Sequence, residues 1–170
     1  MKWAFGLGGS FIVFKDAPPF NDEFSNVQIP SFTVARYLGD GFSLGLNFTD
    51  TGVNLDSGVF DNKYDVLTLD FSPRYDFNTS ENSLVPYVTS GIGLFVKDEI
   101  QNTVAVNVGV GCTFWVFERL GLHVLGVYRF GFDETVVVGH TQFSLGVVYG
   151  FNIRKTSNTI GSQDYNNGCF

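Results

Sequence analysis

Apolar and polar residues alternate along most of this chain, most cleanly over residues 103–115. Val104, Val106, Val108, Val110, Cys112 and Phe114 fall on one face, and Thr103, Ala105, Asn107, Gly109, Gly111 and Thr113 on the other. A period of two sends successive side chains to opposite faces of a strand, whereas on a helix it would scatter the apolar residues around the axis. The second face is small or polar and carries no Lys or Glu. A strand half-exposed to water would carry them, so this face suits a crowded interior.

The same rule predicts the remaining strands. The first covers about 2–14, with Trp3, Phe5, Leu7, Phe11 and Val13 against Ala4, Gly6, Gly8 and Ser10. The second covers about 31–38, with ambiguous faces. The third, about 42–49, sets Phe42, Leu44, Leu46 and Phe48 against Ser43, Gly45, Asn47 and Thr49. The fourth, about 64–77, sets Leu67, Leu69, Phe71 and Tyr75 against Thr68, Asp70, Ser72 and Arg74. In the fifth, about 85–96, Val88, Ile92 and Leu94 alternate with Tyr87, Thr89, Gly91 and Gly93. The seventh covers about 120–131, where Leu125 and Val127 share a phase with His123 and Arg129, which leaves its orientation open. The eighth, about 140–152, sets Phe143, Leu145, Val147, Tyr149 and Phe151 against Gln142, Ser144, Gly146, Val148 and Gly150.

The connections alternate in length. Compact turns follow the second, fourth and sixth strands, at Gly39–Gly41, Asn78–Ser83 and Phe117–Leu120. Longer connections follow the first, third, fifth and seventh, at Lys15–Pro30, Asp50–Lys63, Lys97–Asn102 and Phe132–Gly139. Short periplasmic turns and longer extracellular loops are the rule in outer-membrane barrels, so this parity places both termini in the periplasm.

Composition sharpens the picture. The 170 residues suit one domain. They are 44% hydrophobic and 16% charged, against about 25% charged in an average soluble domain. No apolar run reaches the roughly 18–20 residues of a membrane helix. Apolar character spread over alternate positions is how a membrane strand reads. The 19 Phe, 7 Tyr and 2 Trp fit aromatic girdles, and the 20 Gly fit a narrow interior. A net charge of −7 argues against nucleic acid. Met1-Lys2 runs straight into Trp3-Ala4-Phe5-Gly6 with no secretory leader, so the numbering is expected to be that of a mature chain. Cys112 and Cys169 form no metal or redox motif, and no cofactor is expected. The expected fold is therefore all-β: a transmembrane, antiparallel, up-and-down barrel of about eight strands over 1–152, followed by a polar tail over 153–170. Closure removes strand edges that lipid would leave unsatisfied, and eight strands enclose an interior that side chains fill.

Several segments carry a family likeness. Val34-Ala35-Arg36-Tyr37-Leu38-Gly39-Asp40-Gly41-Phe42-Ser43-Leu44 resembles the second hairpin of OmpA-type eight-stranded outer-membrane barrels from Bacteroidota-like bacteria. Val85-Pro86-Tyr87-Val88, Leu120-Gly121-Leu122 and His140-Thr141-Gln142-Phe143-Ser144-Leu145-Gly146 are similar to later strands of such barrels, and the likeness spans about residues 3–152. It implies residence in a bacterial outer membrane. Barrels of this kind are often followed by Asp-rich calcium-binding repeats and a peptidoglycan-binding domain. The tail here has neither, so peptidoglycan anchoring is not implied.

The residues that bear on function divide into a wall and a lumen. Val104, Val106, Val108, Val110, Phe143, Leu145 and Val147 are expected to face lipid. Asp70, Arg74, Asn107 and Gln142 are expected inside, with His123 and Arg129 as candidates to join them. Such a group reads either as a gated polar path or as a hydrogen-bonded filling, and the second is preferred because buried charges must be paired. His140, Thr141, Asp133 and Glu134 raise a small outer-membrane hydrolase as an alternative. Adjacent residues of a strand point oppositely, however, so His140 and Thr141 do not make a triad. Acids in the long connections (Asp16, Asp22, Glu23, Asp50, Asp56, Asp61, Asp98, Glu99, Asp133 and Glu134) read as a solvated rim before a cation or partner site. The expected function is a non-enzymatic outer-membrane barrel, structural or accessory. Its expected partners are outer-membrane lipid, lipopolysaccharide and other outer-membrane proteins. A soluble lipocalin-like barrel is the other alternative, and it would reverse the faces so that the Val104–Phe114 row lined the core.

Overall fold

Every run of alternating residues is a strand in the computed structural model, which describes residues 2–14, 24–50, 66–77, 83–97, 101–131 and 139–151. The order is β1 (Lys2–Phe14), β2 (Phe24–Gly39), β3 (Phe42–Asp50), β4 (Val66–Asp76), β5 (Leu84–Lys97), β6 (Gln101–Trp115), β7 (Leu120–Gly131) and β8 (His140–Phe151). Each strand pairs antiparallel with its sequence neighbours, and β8 returns to β1 to close the barrel. The closing seam runs without a break from Trp3 opposite Phe151 to Phe14 opposite His140. The shortest strand has 9 residues, which meets the length of about 9–11 that a tilted strand needs to cross a bilayer. The expected tail over 153–170 lies outside the described residues.

The faces follow the alternation. Val104, Val106, Val108 and Val110 are exposed on the outer wall, Val110 at 66%, while Thr103, Ala105, Asn107 and Thr113 of the same strand are buried. Phe143, Leu145 and Val147 are likewise outside, with Gln142 and Ser144 inside. Aromatic rings gather toward the end where β1 begins and β8 ends: Phe42 packs on Tyr75, Tyr75 on Phe77, and Phe151 on both Phe5 and Tyr149. At the opposite end, where the longer connections join the strands, Phe32 meets Phe48 and Tyr128 meets Phe130.

Two expectations are corrected. The second strand begins at Phe24, not near 31, because the stretch read as loop up to Pro30 pairs with β1. Its register explains the miss. Gly8 stands opposite Ser31 but Ser10 opposite Gln28, so β2 carries an extra residue there. Such a bulge flips the alternation from the phase of Val27 and Ile29 to that of Phe32 and Val34. The connection expected over Lys97–Asn102 shrinks to 98–100, since Lys97 pairs with Gln101 and Val96 with Asn102. Gln101 and Asn102 are polar at successive positions, so hydropathy offers no alternation there to mark a strand. The Gly39-Asp40-Gly41 turn is tight because all three residues take positive φ, at 139°, 53° and 82°.

The orientation left open for the seventh strand is settled. Leu122, Val124, Tyr128 and Phe130 are exposed, while Val127 and Arg129 are buried. His123 and Leu125 line the interior with them.

Candidate functional site

The interior is built on a ladder along β4. Alternate residues Asp70, Ser72, Arg74 and Asp76 share its inward phase, which puts two carboxylates and one guanidinium into a narrow lumen. Charges taken out of water need partners within reach, and two separate clusters supply them.

The first lies toward the loop end. Arg129 donates from Nη1 to Asp70 Oδ1 at 2.6 Å and from Nη2 to Asp70 Oδ2 at 2.7 Å. This two-pronged geometry is the strong form of an arginine–carboxylate pair. Asn107 donates from Nδ2 to Asp70 Oδ1 at 3.0 Å. The Arg129 guanidinium lies 5.1 Å from the Phe95 ring centroid, and Phe95 meets His140 edge-on at 5.6 Å. Gly93 makes the pair fit, since a Cβ at that position would run into the Asp70 carboxylate and Arg129.

The second cluster lies toward the end where β1 begins and β8 ends. Arg74 donates from Nε to Asp76 Oδ1 at 2.6 Å and from Nη2 to Thr113 at 3.2 Å. Its guanidinium stacks 3.6 Å over the Tyr87 ring. Tyr87 in turn lies on Gly111, where a Cβ would collide with the ring, and its hydroxyl donates to the Val124 carbonyl at 3.4 Å. Both clusters are formally neutral.

Between them is a chamber of about 100 Å3 whose wall includes Asn47, Ser72, Thr89, His123, Leu125 and Val127. Hydroxyl and amide pairs stitch the rest of the wall: Thr33 donates to Asn47 Oδ1 at 2.7 Å, Ser10 pairs with Ser144 at 3.0 Å and Thr49 with Thr68 at 2.5 Å. A chamber of this size, mainly apolar in its lining but with Asn47, Ser72 and Thr89 as polar partners, has room for several waters beside those groups.

The single lumen network expected from the sequence is therefore two. Asp70 and Asn107 come together, Arg74 belongs to the other cluster, and Gln142 is buried in the lumen but bonded to neither. Arg129, only a candidate in the sequence, is the central cation of the first cluster. Asp76, Tyr87 and Thr113 went unremarked as partners of Arg74. Asp76 was within reach, two residues from Arg74 in the same phase, whereas Tyr87 and Thr113 come from strands whose register the sequence does not specify.

The two described hydrolase candidates, His140 and Thr141, do not converge. His140 is buried in the lumen against Phe95, Thr141 lies on the opposite face of β8, and Asp133 and Glu134 fall outside the described residues. Among the described residues no cluster of three or more His, Cys, Asp or Glu is arranged to hold a metal ion.

A closed eight-stranded antiparallel barrel, apolar outside and plugged inside by paired charges, has the architecture of the small outer-membrane β-barrels. Comparison with solved structures agrees. The fold is similar to the N-terminal β-barrel domain of Pseudomonas aeruginosa OprF, with a TM-score of 0.64 and 16% identity over 88% of this chain and 97% of that one. It is similar also to Neisserial surface protein A, with a TM-score of 0.66 and 15% identity over 88% and 97%. A third is Ail of Yersinia pestis, solved in complex with the heparin analogue sucrose octasulfate, with a TM-score of 0.57 and 14% identity over 88% and 98%. At these identities the fold is what is shared. No protein-family model and no curated protein matches the chain.

Proposed function

We propose that the chain is a non-enzymatic bacterial outer-membrane barrel of the OmpA type, acting as a structural or accessory subunit. It serves either as a membrane anchor or as one component of a larger outer-membrane assembly. The observation that carries this reading is the division of chemistry between lumen and wall. Inside, the charges cancel in two packed clusters. Outside, Val, Leu and Phe rows cover the strands. Such a molecule offers its wall and its loops for contact, to outer-membrane lipid, lipopolysaccharide and neighbouring outer-membrane proteins. The longer connections then face the cell exterior and both termini the periplasm. The soluble alternative is set aside by the same faces, because the Val104–Phe114 row lies outside the barrel.

Fractionation followed by affinity purification from native membranes in mild detergent tests the proposal. The chain should sediment with the outer membrane and bring at least one outer-membrane protein with it in fixed proportion. Recovery as a monodisperse species in buffer without detergent would overturn the membrane reading. Recovery from the outer membrane with lipid alone would overturn the assembly role and leave the anchor.

A further inference from the structure

Gln142 reaches into the lumen from β8 at 1% exposure, and among the described residues neither its amide nitrogen nor its amide oxygen meets a hydrogen-bond partner. Arg129, 2% exposed, also keeps a donor spare: its two terminal nitrogens bond Asp70, while Nε has no hydrogen-bond partner among the described residues. The register makes Gln142 and Arg129 diagonal neighbours across the β7–β8 pair. Gln142 stands opposite Val127, one same-face step along β7 from Arg129, and diagonal neighbours of this kind lie within reach of long side chains. Buried N–H groups are almost always bonded, and an unbonded one carries the full cost of its lost solvation.

We infer that one bound water bridges Gln142 and Arg129 inside the barrel. The chemistry of the three orphaned atoms selects it. The ligand must accept from the Arg129 Nε–H and from the Gln142 amide N–H, and it must donate to the Gln142 carbonyl oxygen. Water does all three. An ion does not fit, because Asp70 already matches the charge of Arg129 and Gln142 brings none. A larger solute does not fit either, with Ile12, 2% exposed, opposite Gln142 on β1. The supply is close at hand, because the wall of the central chamber reaches Ser144, the next inward residue of β8. The neighbouring side chains need yield only about 10–15 Å3. Through this water Gln142 joins the Asp70–Arg129–Asn107 cluster, although it makes no direct hydrogen bond to any of its members.

The test is solution NMR of the isotopically labelled, full-length barrel in lipid nanodiscs. Gln142→Met identifies the Gln142 side-chain amide signals by their loss. The Gln142 amide protons and the Arg129 Nε proton should both show cross-peaks to water, with the sign of a long-lived bound molecule. In Gln142→Met the Arg129 cross-peak should be lost while the bonds to Asp70 persist. Absence of water cross-peaks at either group, or contacts from the Gln142 amide to a loop side chain in their place, would overturn the inference. Should Gln142→Met fail to fold, a high-resolution crystal structure of the unaltered chain decides. Solvent density within about 2.7–3.2 Å of both groups supports the water, and a direct protein partner at either refutes it.

Discussion

Asp70→Asn removes one charge from the loop-end cluster while leaving its volume almost unchanged. In the native barrel the Asp70 carboxylate accepts two bonds from Arg129 and one from Asn107. An amide in its place keeps one oxygen and turns an N–H donor toward groups that are themselves donors. Arg129, with its side chain 3% exposed, then becomes an unpaired buried cation. Breaking a buried pair from one side costs about 3–5 kcal/mol, a large share of the roughly 5–15 kcal/mol that holds a domain folded. The assay is urea unfolding of the detergent-folded barrel, followed by the fluorescence of Trp3 and Trp115. Arg129→Met should cost a similar amount, because it strands the carboxylate. Asp70→Asn combined with Arg129→Met should cost much less than the two losses added, leaving a coupling energy of at least about 2 kcal/mol. If Asp70→Asn stays within about 1 kcal/mol of the native barrel, or if the two losses simply add, the lumen is wetter or looser than this geometry requires and the reasoning fails.

Other perturbations separate wall from lumen. Val106→Arg or Val108→Arg places a charge on the outer wall and should cost about 2–4 kcal/mol in lipid; equal folding yields for these and the native chain in liposomes would mean that β6 is turned the other way. Gly93→Val forces a side chain into the Asp70–Arg129 pair and should cost about 1–3 kcal/mol by overpacking, read as a lower urea midpoint; an unchanged midpoint would show that the pair has room to shift. Tyr87→Leu removes the ring beneath Arg74 and should cost at least about 0.5–2 kcal/mol. Tyr87→Phe keeps that ring and loses only a long hydroxyl bond of 3.4 Å, so thermal unfolding should rank it well above Tyr87→Leu. The reverse ranking would mean that the hydroxyl, and not the stack, matters there.

Much of the fold was legible because lipid and a narrow lumen impose opposite demands on alternate residues. Along β8, and along β6 from Thr103 onward, the phase runs unbroken, and the outward rows read from it are the outward rows observed. Legibility failed where the phase slips. The extra residue near Ile29–Pro30 reverses the alternation in β2 and hid its first turn of pairing. On β7, Leu125 and Val127 share the inward phase with Arg129, so hydropathy alone did not say which face was which. The lumen was legible in kind but not in partnership. Asp70, Arg74 and Asn107 read as interior from their own strands. Which carboxylate each cation takes depends on stagger between strands far apart in sequence. Arg129 finds Asp70 across 59 positions, whereas Arg74 takes Asp76 only two residues away.

Where the chain keeps its net charge bears on what it can contact. The lumen contributes nothing, since Arg129 cancels Asp70 and Arg74 cancels Asp76. The segments joining strands at the loop end tell the opposite story. Between β1 and β2, Asp16, Asp22 and Glu23 outnumber Lys15 by two; between β3 and β4, Asp56, Asp61 and Asp65 outnumber Lys63 by two. The connection between β5 and β6 holds Asp98 and Glu99, that between β7 and β8 holds Asp133 and Glu134, and neither includes a Lys or Arg. All four connections at one end therefore carry the same excess of two negative charges. At the other end Asp40 and Glu81 stand singly, and Glu118 is matched by Arg119. Like charges gathered at one rim repel one another and repel other anions, at a range of about 8–10 Å in physiological salt. A partner that approaches this end must bring basic groups, or cations to screen them, whereas the apolar wall imposes no such condition. Contacts made by the wall and contacts made by the loops would thus answer differently to salt, and that difference separates an anchor held by lipid from a subunit held by its loops.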